Sequence, residues 1–111
     1  MDFRKYQALA KRTLKKSNET PMQLIARLGL GLCGESGEVA EKIKKLMRDK
    51  GGDISTDDRL KLAKEIGDVL WYCALLSQEL GLDLQTIAVL NIMKLEERNK
   101  KGKIKGEGDE R

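Results

Sequence analysis

Residues 65–76 read Glu-Ile-Gly-Asp-Val-Leu-Trp-Tyr-Cys-Ala-Leu-Leu, two carboxylates three positions apart running straight into an apolar block. On a helix Glu65 and Asp68 share one face about a turn apart, and Tyr72 continues that face. A helix that is apolar on all sides is a central, buried one, and buried carboxylates are costly unless something compensates them. The stretch therefore predicts a core helix with a positive group beside its acids.

A second pair with the same spacing, Glu35 and Glu38, lies upstream. Solvated helix faces account for part of the pattern, because Glu38–Lys42, Glu41–Lys45, Lys61–Glu65 and Lys64–Asp68 are all i,i+4 pairs of opposite charge. Glu35 fits that reading less well. It has Gly31 at i−4, Val39 at i+4 and a like charge at i+3. Two antiparallel helices joined by a short turn can set one pair against the other, giving four acidic side chains around one cavity. Oxygen ligands alone select a hard cation, Mg²⁺ or Mn²⁺, which also binds phosphate oxygens. A polyphosphate is the ligand such a site implies.

Composition bounds the rest. With 111 residues, the chain is expected to form one domain with a modest core that self-association would help. Charged residues make up 36% against 4% aromatic, with one proline, a balance that predicts an all-α fold. The absence of histidine excludes imidazole bases, Ser-His triads and the usual zinc sites. The net charge of +4 is concentrated in Arg4–Lys16 and Lys94–Lys105, which suits an anionic small ligand as readily as nucleic acid. No apolar run approaches a membrane span, and Met-Asp-Phe-Arg-Lys lacks the core of a signal peptide, so a cytoplasmic protein is expected. Cys33 and Cys73 sit among apolar neighbours and are expected to be buried free thiols.

Local signals place the helices. Phe3, Tyr6, Ala10 and Leu14 form one stripe of an amphipathic helix over residues 2–16. Thr20-Pro21-Met22-Gln23 is a capping box with proline at the first helical position, opening a helix that runs to about Asp49. Its apolar stripe of Ile25, Leu28, Leu32, Val39, Ile43 and Leu46 survives through Gly29, Gly31, Gly34 and Gly37. Each interior glycine costs about 1 kcal/mol relative to alanine, which suggests close packing, a kink or room for a ligand. Lys50-Gly51-Gly52-Asp53 is a turn, and Ser55 caps a third helix that runs to about Leu80 and stops at Gly81. A fourth helix is expected from near Asp83 to about Arg98. Residues 1–99 thus read as the domain and 100–111 as a polar tail, disordered when free.

Gly29-Leu30-Gly31-Leu32-Cys33-Gly34 fits G-x-G-x-x-G literally, but it lies within a helical pattern with no βαβ unit around it. Read as a P-loop, it places Glu35-Ser36 where Lys-Ser/Thr is required.

Glu35-x-x-Glu38, then 26 residues, then Glu65-x-x-Asp68 resembles the signature of the MazG-like, all-α nucleoside triphosphate pyrophosphohydrolases. The surrounding words, Gly34-Glu35-Ser36-Gly37-Glu38-Val39-Ala40-Glu41 and Glu65-Ile66-Gly67-Asp68-Val69-Leu70-Trp71-Tyr72, are similar too. The resemblance spans residues 22–99. It implies hydrolysis between the α and β phosphates, releasing nucleoside monophosphate and pyrophosphate, with Glu35, Glu38, Glu65 and Asp68 at the metal-binding positions. Glu38 is the candidate proton acceptor and Glu41 an outer candidate. Asn91, Lys94 and Arg98 share one face of the fourth helix, and the resemblance places such residues against phosphates, beside the plain alternative of a solvated basic face. For Trp71 and Tyr72, core or subunit packing is favoured over contact with a base.

The resemblance also implies a homodimer or homotetramer in which a four-helix-bundle core is completed across subunits. That agrees with a third helix needing more apolar cover than its short neighbours provide. The rival readings are a non-catalytic helical module binding nucleic acid through its basic ends, and a related pyrophosphatase acting on phosphoribosyl-ATP or on dCTP or dUTP.

Overall fold

The computed structural model describes residues 1–102. Four helices and no strand form among them: α1 (Phe3–Lys11), α2 (Pro21–Lys50), α3 (Thr56–Glu79) and α4 (Leu84–Lys100). The expected all-α class is what the chain adopts, and the capping chemistry explains the boundaries. Thr20 and Gln23 complete a reciprocal capping box at the start of α2, and Ser55 and Asp58 do the same for α3. Gly51 adopts φ 58° to end α2 and Gly81 adopts φ 71° just past α3, backbone conformations that favour glycine.

Helix α1 ends well before residue 16. The Thr13 hydroxyl donates to the Ala10 carbonyl at 2.7 Å and accepts from the Trp71 indole at 2.6 Å, so local side-chain bonding and a contact from α3 replace the continued helix. Leu14 still packs on the core from outside the helix. At the other end α4 extends through Lys100, past the expected limit, and residues 103–111, most of the predicted tail, lie outside the described residues.

Helix α3 is the hub, packing against α1, α2 and α4, while α4 packs against α1 and α3. The α2–α3 pair is antiparallel, as the sequence positions of its cross-helix contacts show: Lys50 meets Asp58, Lys42 meets Glu65, and Gly31 faces Tyr72. Helix α4 leaves α3 at an angle of 104°.

The core is thin. Ala10, Leu24, Leu28, Ala74, Leu75 and Leu84 are buried, with Tyr6, Leu70, Trp71 and Tyr72 packed around them. The C-terminal half of α3 carries its buried apolar positions, whereas Ile66 in its first half is exposed, so the helix is central over only part of its length. Val89, Leu90, Ile92 and Met93 on α4 are each more than half exposed. The radius of gyration, 16.9 Å, exceeds the ~13 Å expected of a compact chain of this length.

Gln7 locks the far end of the core. Buried, it donates to the carbonyls of Ala74 at 3.1 Å and Leu82 at 3.0 Å and accepts from the Leu84 amide at 3.0 Å. The Leu82 and Leu84 bonds satisfy backbone groups in the α3–α4 connection, where no helical partner exists, and the Ala74 carbonyl inside α3 gains a second donor. Arg4 reinforces the join through Asp83, the N-cap of α4, at 2.9 Å.

Candidate metal centre

Going from Lys50 back along α2 and from Asp58 forward along α3, the antiparallel register brings Glu35 level with Glu65 and Asp68. One carboxylate oxygen from each of these three lies within 4.8 Å of the others. Glu35 and Glu65 are half-buried and Asp68 is exposed, so the cluster sits at the rim of the helix interface and not within the core that the sequence suggested for Asp68.

Glu38, the fourth expected ligand, is exposed and stands outside this group, one turn along α2 from Glu35. Its charge still reaches the cluster. Burial, followed by the negative charges of Asp68, Glu65 and Glu38, pushes the Glu35 carboxyl above its ordinary range. The same field touches Tyr6, whose hydroxyl is raised first by burial and then by Asp68 and Cys73.

The donor set suits a hard divalent cation. The described cluster offers oxygen ligands alone, and its members repel one another in a way that positive charge relieves. Oxygens around one Mg²⁺ at ~2.1 Å lie up to about 4.2 Å from one another, so oxygens within 4.8 Å need only side-chain rotation to surround one ion. Gly34 and Gly37 flank the acids on α2, and a β-carbon at either would meet open space, which leaves room for a ligand beside Glu35 and Glu38.

Other residues singled out by the sequence are distributed as follows. Asn91 is exposed, Lys94 half-buried and Arg98 buried, all on α4, whose backbone packs against α1 and α3. Glu41 is exposed, 3.9 Å from Lys45. Trp71 and Tyr72 pack edge to face, with centroids 4.9 Å apart, at the periphery of the core. Both cysteines are free, Cys73 half-buried with burial raising its thiol pKa, but Cys33 is exposed because the α2 face it occupies has no partner helix. Gly29–Gly34 lies entirely within α2 and forms no phosphate loop.

Sequence reasoning missed Lys42 as a partner of Glu65, at 3.5 Å across the helix interface. The i,i+4 pattern assigned it to Glu38 instead, and only the antiparallel register shows the alternative.

An antiparallel helix pair gathering acidic oxygens near its midpoint, in a chain without histidine, defines an all-α, carboxylate-clustering protein. The chain belongs to the MazG nucleotide pyrophosphohydrolase family, whose domain model matches residues 23–103. It is similar to the Gene 37 protein of Mycobacterium phage L5, with 46% identity over 82 residues that cover 74% of this chain and 72% of that relative. No solved structure matches the chain significantly.

Proposed function

We propose that the protein hydrolyses nucleoside triphosphates to nucleoside monophosphate and pyrophosphate with Mg²⁺ as cofactor, Mn²⁺ being able to substitute. The observation that carries this reading is the convergence of Glu35, Glu65 and Asp68 oxygens from two helices in a chain of this family. Glu35, Glu65 and Asp68 would hold the ion, with Glu38 joining them by side-chain movement. A divalent ion there supplies charge neutralisation for the phosphate oxygens and acidifies a water for attack on phosphorus. Glu38, exposed and outside the tight cluster, is the residue we assign to accept that water's proton. Asn91, Lys94 and Arg98 are proposed contacts for the phosphates.

The working form we propose is a homodimer or homotetramer. The thin core, the exposed apolar face of α4 and the large radius of gyration support a bundle completed by a second copy. A cytoplasmic location is part of the same proposal; no single described helix is long and apolar enough to cross a membrane.

Incubation with a panel of ribo- and deoxyribonucleoside triphosphates and Mg²⁺, followed by chromatography, tests the reaction. Paired release of monophosphate and pyrophosphate is expected. Release of diphosphate and orthophosphate, or no turnover of any nucleotide, overturns the assignment. Steeply salt-sensitive nucleic-acid binding indifferent to Mg²⁺ would replace it with a binding module. Light scattering that shows only monomer at micromolar concentration would refute the oligomer.

A further inference from the structure

Lys42 has two environments within reach. Its ammonium lies 3.5 Å from Glu65 Oε1, a loose ion pair across the α2–α3 interface. The same side chain lines a cleft of about 150 Å³ between α2 and α3 on the side of their connecting turn, which Asp49, Lys50 and Asp58 also line. Lys45, Lys50 and Lys61 line it too, above an apolar floor of Leu46 and Leu62. The two carboxylates of the cleft are already engaged, Asp58 with Lys50 at 2.8 Å and Asp49 with Arg48 at 2.7 Å.

The remaining lysine pairings are weak ones. Lys45 is 3.9 Å from Glu41, and Lys61 is 3.1 Å from Asp57, both on exposed helix faces. Exposed pairs of this kind contribute little to stability, so a polyanion can redirect these ammonium groups at little cost. Lys50 differs, because Asp58 holds it through both carboxylate oxygens. The cleft therefore offers Lys42, Lys45 and Lys61 to an anion, with Lys50 fixed at its far end.

We propose that Lys42 is a two-position cation: it neutralises Glu65 while the carboxylate cluster holds no metal, and turns into the cleft to bind the terminal phosphates of the nucleotide when a divalent ion claims Glu65. The inference rests on the pyrophosphohydrolase reading above. A divalent ion interacts more strongly with the three acids than a single tethered ammonium does, and at 3.5 Å the ammonium has little hydrogen bonding to lose. Lys42 lies seven residues beyond Glu35, about 10 Å along the helix axis, and joins the two places by pairing with Glu65 while lining the cleft.

The test compares wild type, Lys42→Gln and Lys44→Gln, the last removing the same charge from an exposed α2 position outside the cleft lining. Mn²⁺ binding without nucleotide is followed by electron paramagnetic resonance, and inorganic pyrophosphate binding in saturating Mg²⁺ by calorimetry. Lys42→Gln is expected to bind Mn²⁺ two- to tenfold more tightly than wild type and pyrophosphate at least fivefold more weakly, with Lys44→Gln near wild type in both. Weaker Mn²⁺ binding by Lys42→Gln would show that Lys42 merely orients Glu65, and unchanged pyrophosphate affinity or equal shifts in both variants would likewise overturn the proposal. A wild type that binds no Mn²⁺ overturns the metal site itself, an outcome distinct from failure of the Lys42 exchange.

Discussion

The ring of Tyr72 on α3 lies against the backbone of Gly31 on α2, and a β-carbon at position 31 would overlap the ring atoms Cε1, Cζ and Cδ1. Gly31 is one turn before Glu35 and Tyr72 one turn after Asp68, so this contact sets how closely the helices approach beside the carboxylate cluster. Of the glycines on α2, it is the one whose lack of a side chain the packing requires.

Gly31→Ala is therefore expected to destabilise the fold by about 1–2 kcal/mol, overpacking outweighing the gain in helix propensity. Gly29→Ala, where a β-carbon meets nothing within 4 Å, is expected to stabilise by up to about 1 kcal/mol. Urea unfolding of both checks the contrast, and adding Tyr72→Ala to Gly31→Ala should make the two changes non-additive.

Neutralising the cluster separates fold from activity. Glu35→Gln, Glu65→Gln and Asp68→Asn are each expected to lower nucleotide turnover by at least about 100-fold with the helical circular dichroism unchanged, since none of the three lies in the apolar core. Glu38→Gln should abolish turnover as well. If Glu38 accepts the proton and does not hold the ion tightly, that variant retains more of the Mn²⁺ affinity than Glu35→Gln does.

Gln7 offers a prediction about the core. Gln7→Leu removes the side-chain partner of the Leu82 carbonyl and the Leu84 amide and the second donor to the helical Ala74 carbonyl, two of the three bonds being buried. A loss of about 1–3 kcal/mol is expected in thermal or urea unfolding, with amide exchange faster at the α3–α4 junction.

Acid stability should report on Asp58. Lys50, then the Ser55 amide and hydroxyl, hold its carboxyl down at about 2. An unfolded aspartate titrates near ~3.9, so the contribution is complete above that pH and is lost as the pH falls towards 2. Melting curves of wild type and Asp58→Asn between pH 5 and 2 should converge as the pH drops. A constant gap would show that the pairing with Lys50 contributes nothing.

What the sequence determined by itself was local: the four helices, their caps at Thr20, Ser55 and Asp83, the glycine stops, and the two acidic pairs, because hydrogen-bonding caps and side-chain periodicity act over one or two turns. The pairing of α2 with α3 was legible as well, since a short glycine turn between long helices leaves an antiparallel hairpin as the simple outcome. Tertiary structure decided what depends on register and distance. It drew Glu35, Glu65 and Asp68 together and left Glu38 one turn outside, and it gave Glu65 a partner in Lys42 across the interface. It buried Gln7 to close the α3–α4 junction, ended α1 where Trp71 meets Thr13, and set Tyr72 on Gly31. Such contacts join residues far apart in the chain, and no local pattern encodes how closely two helices approach.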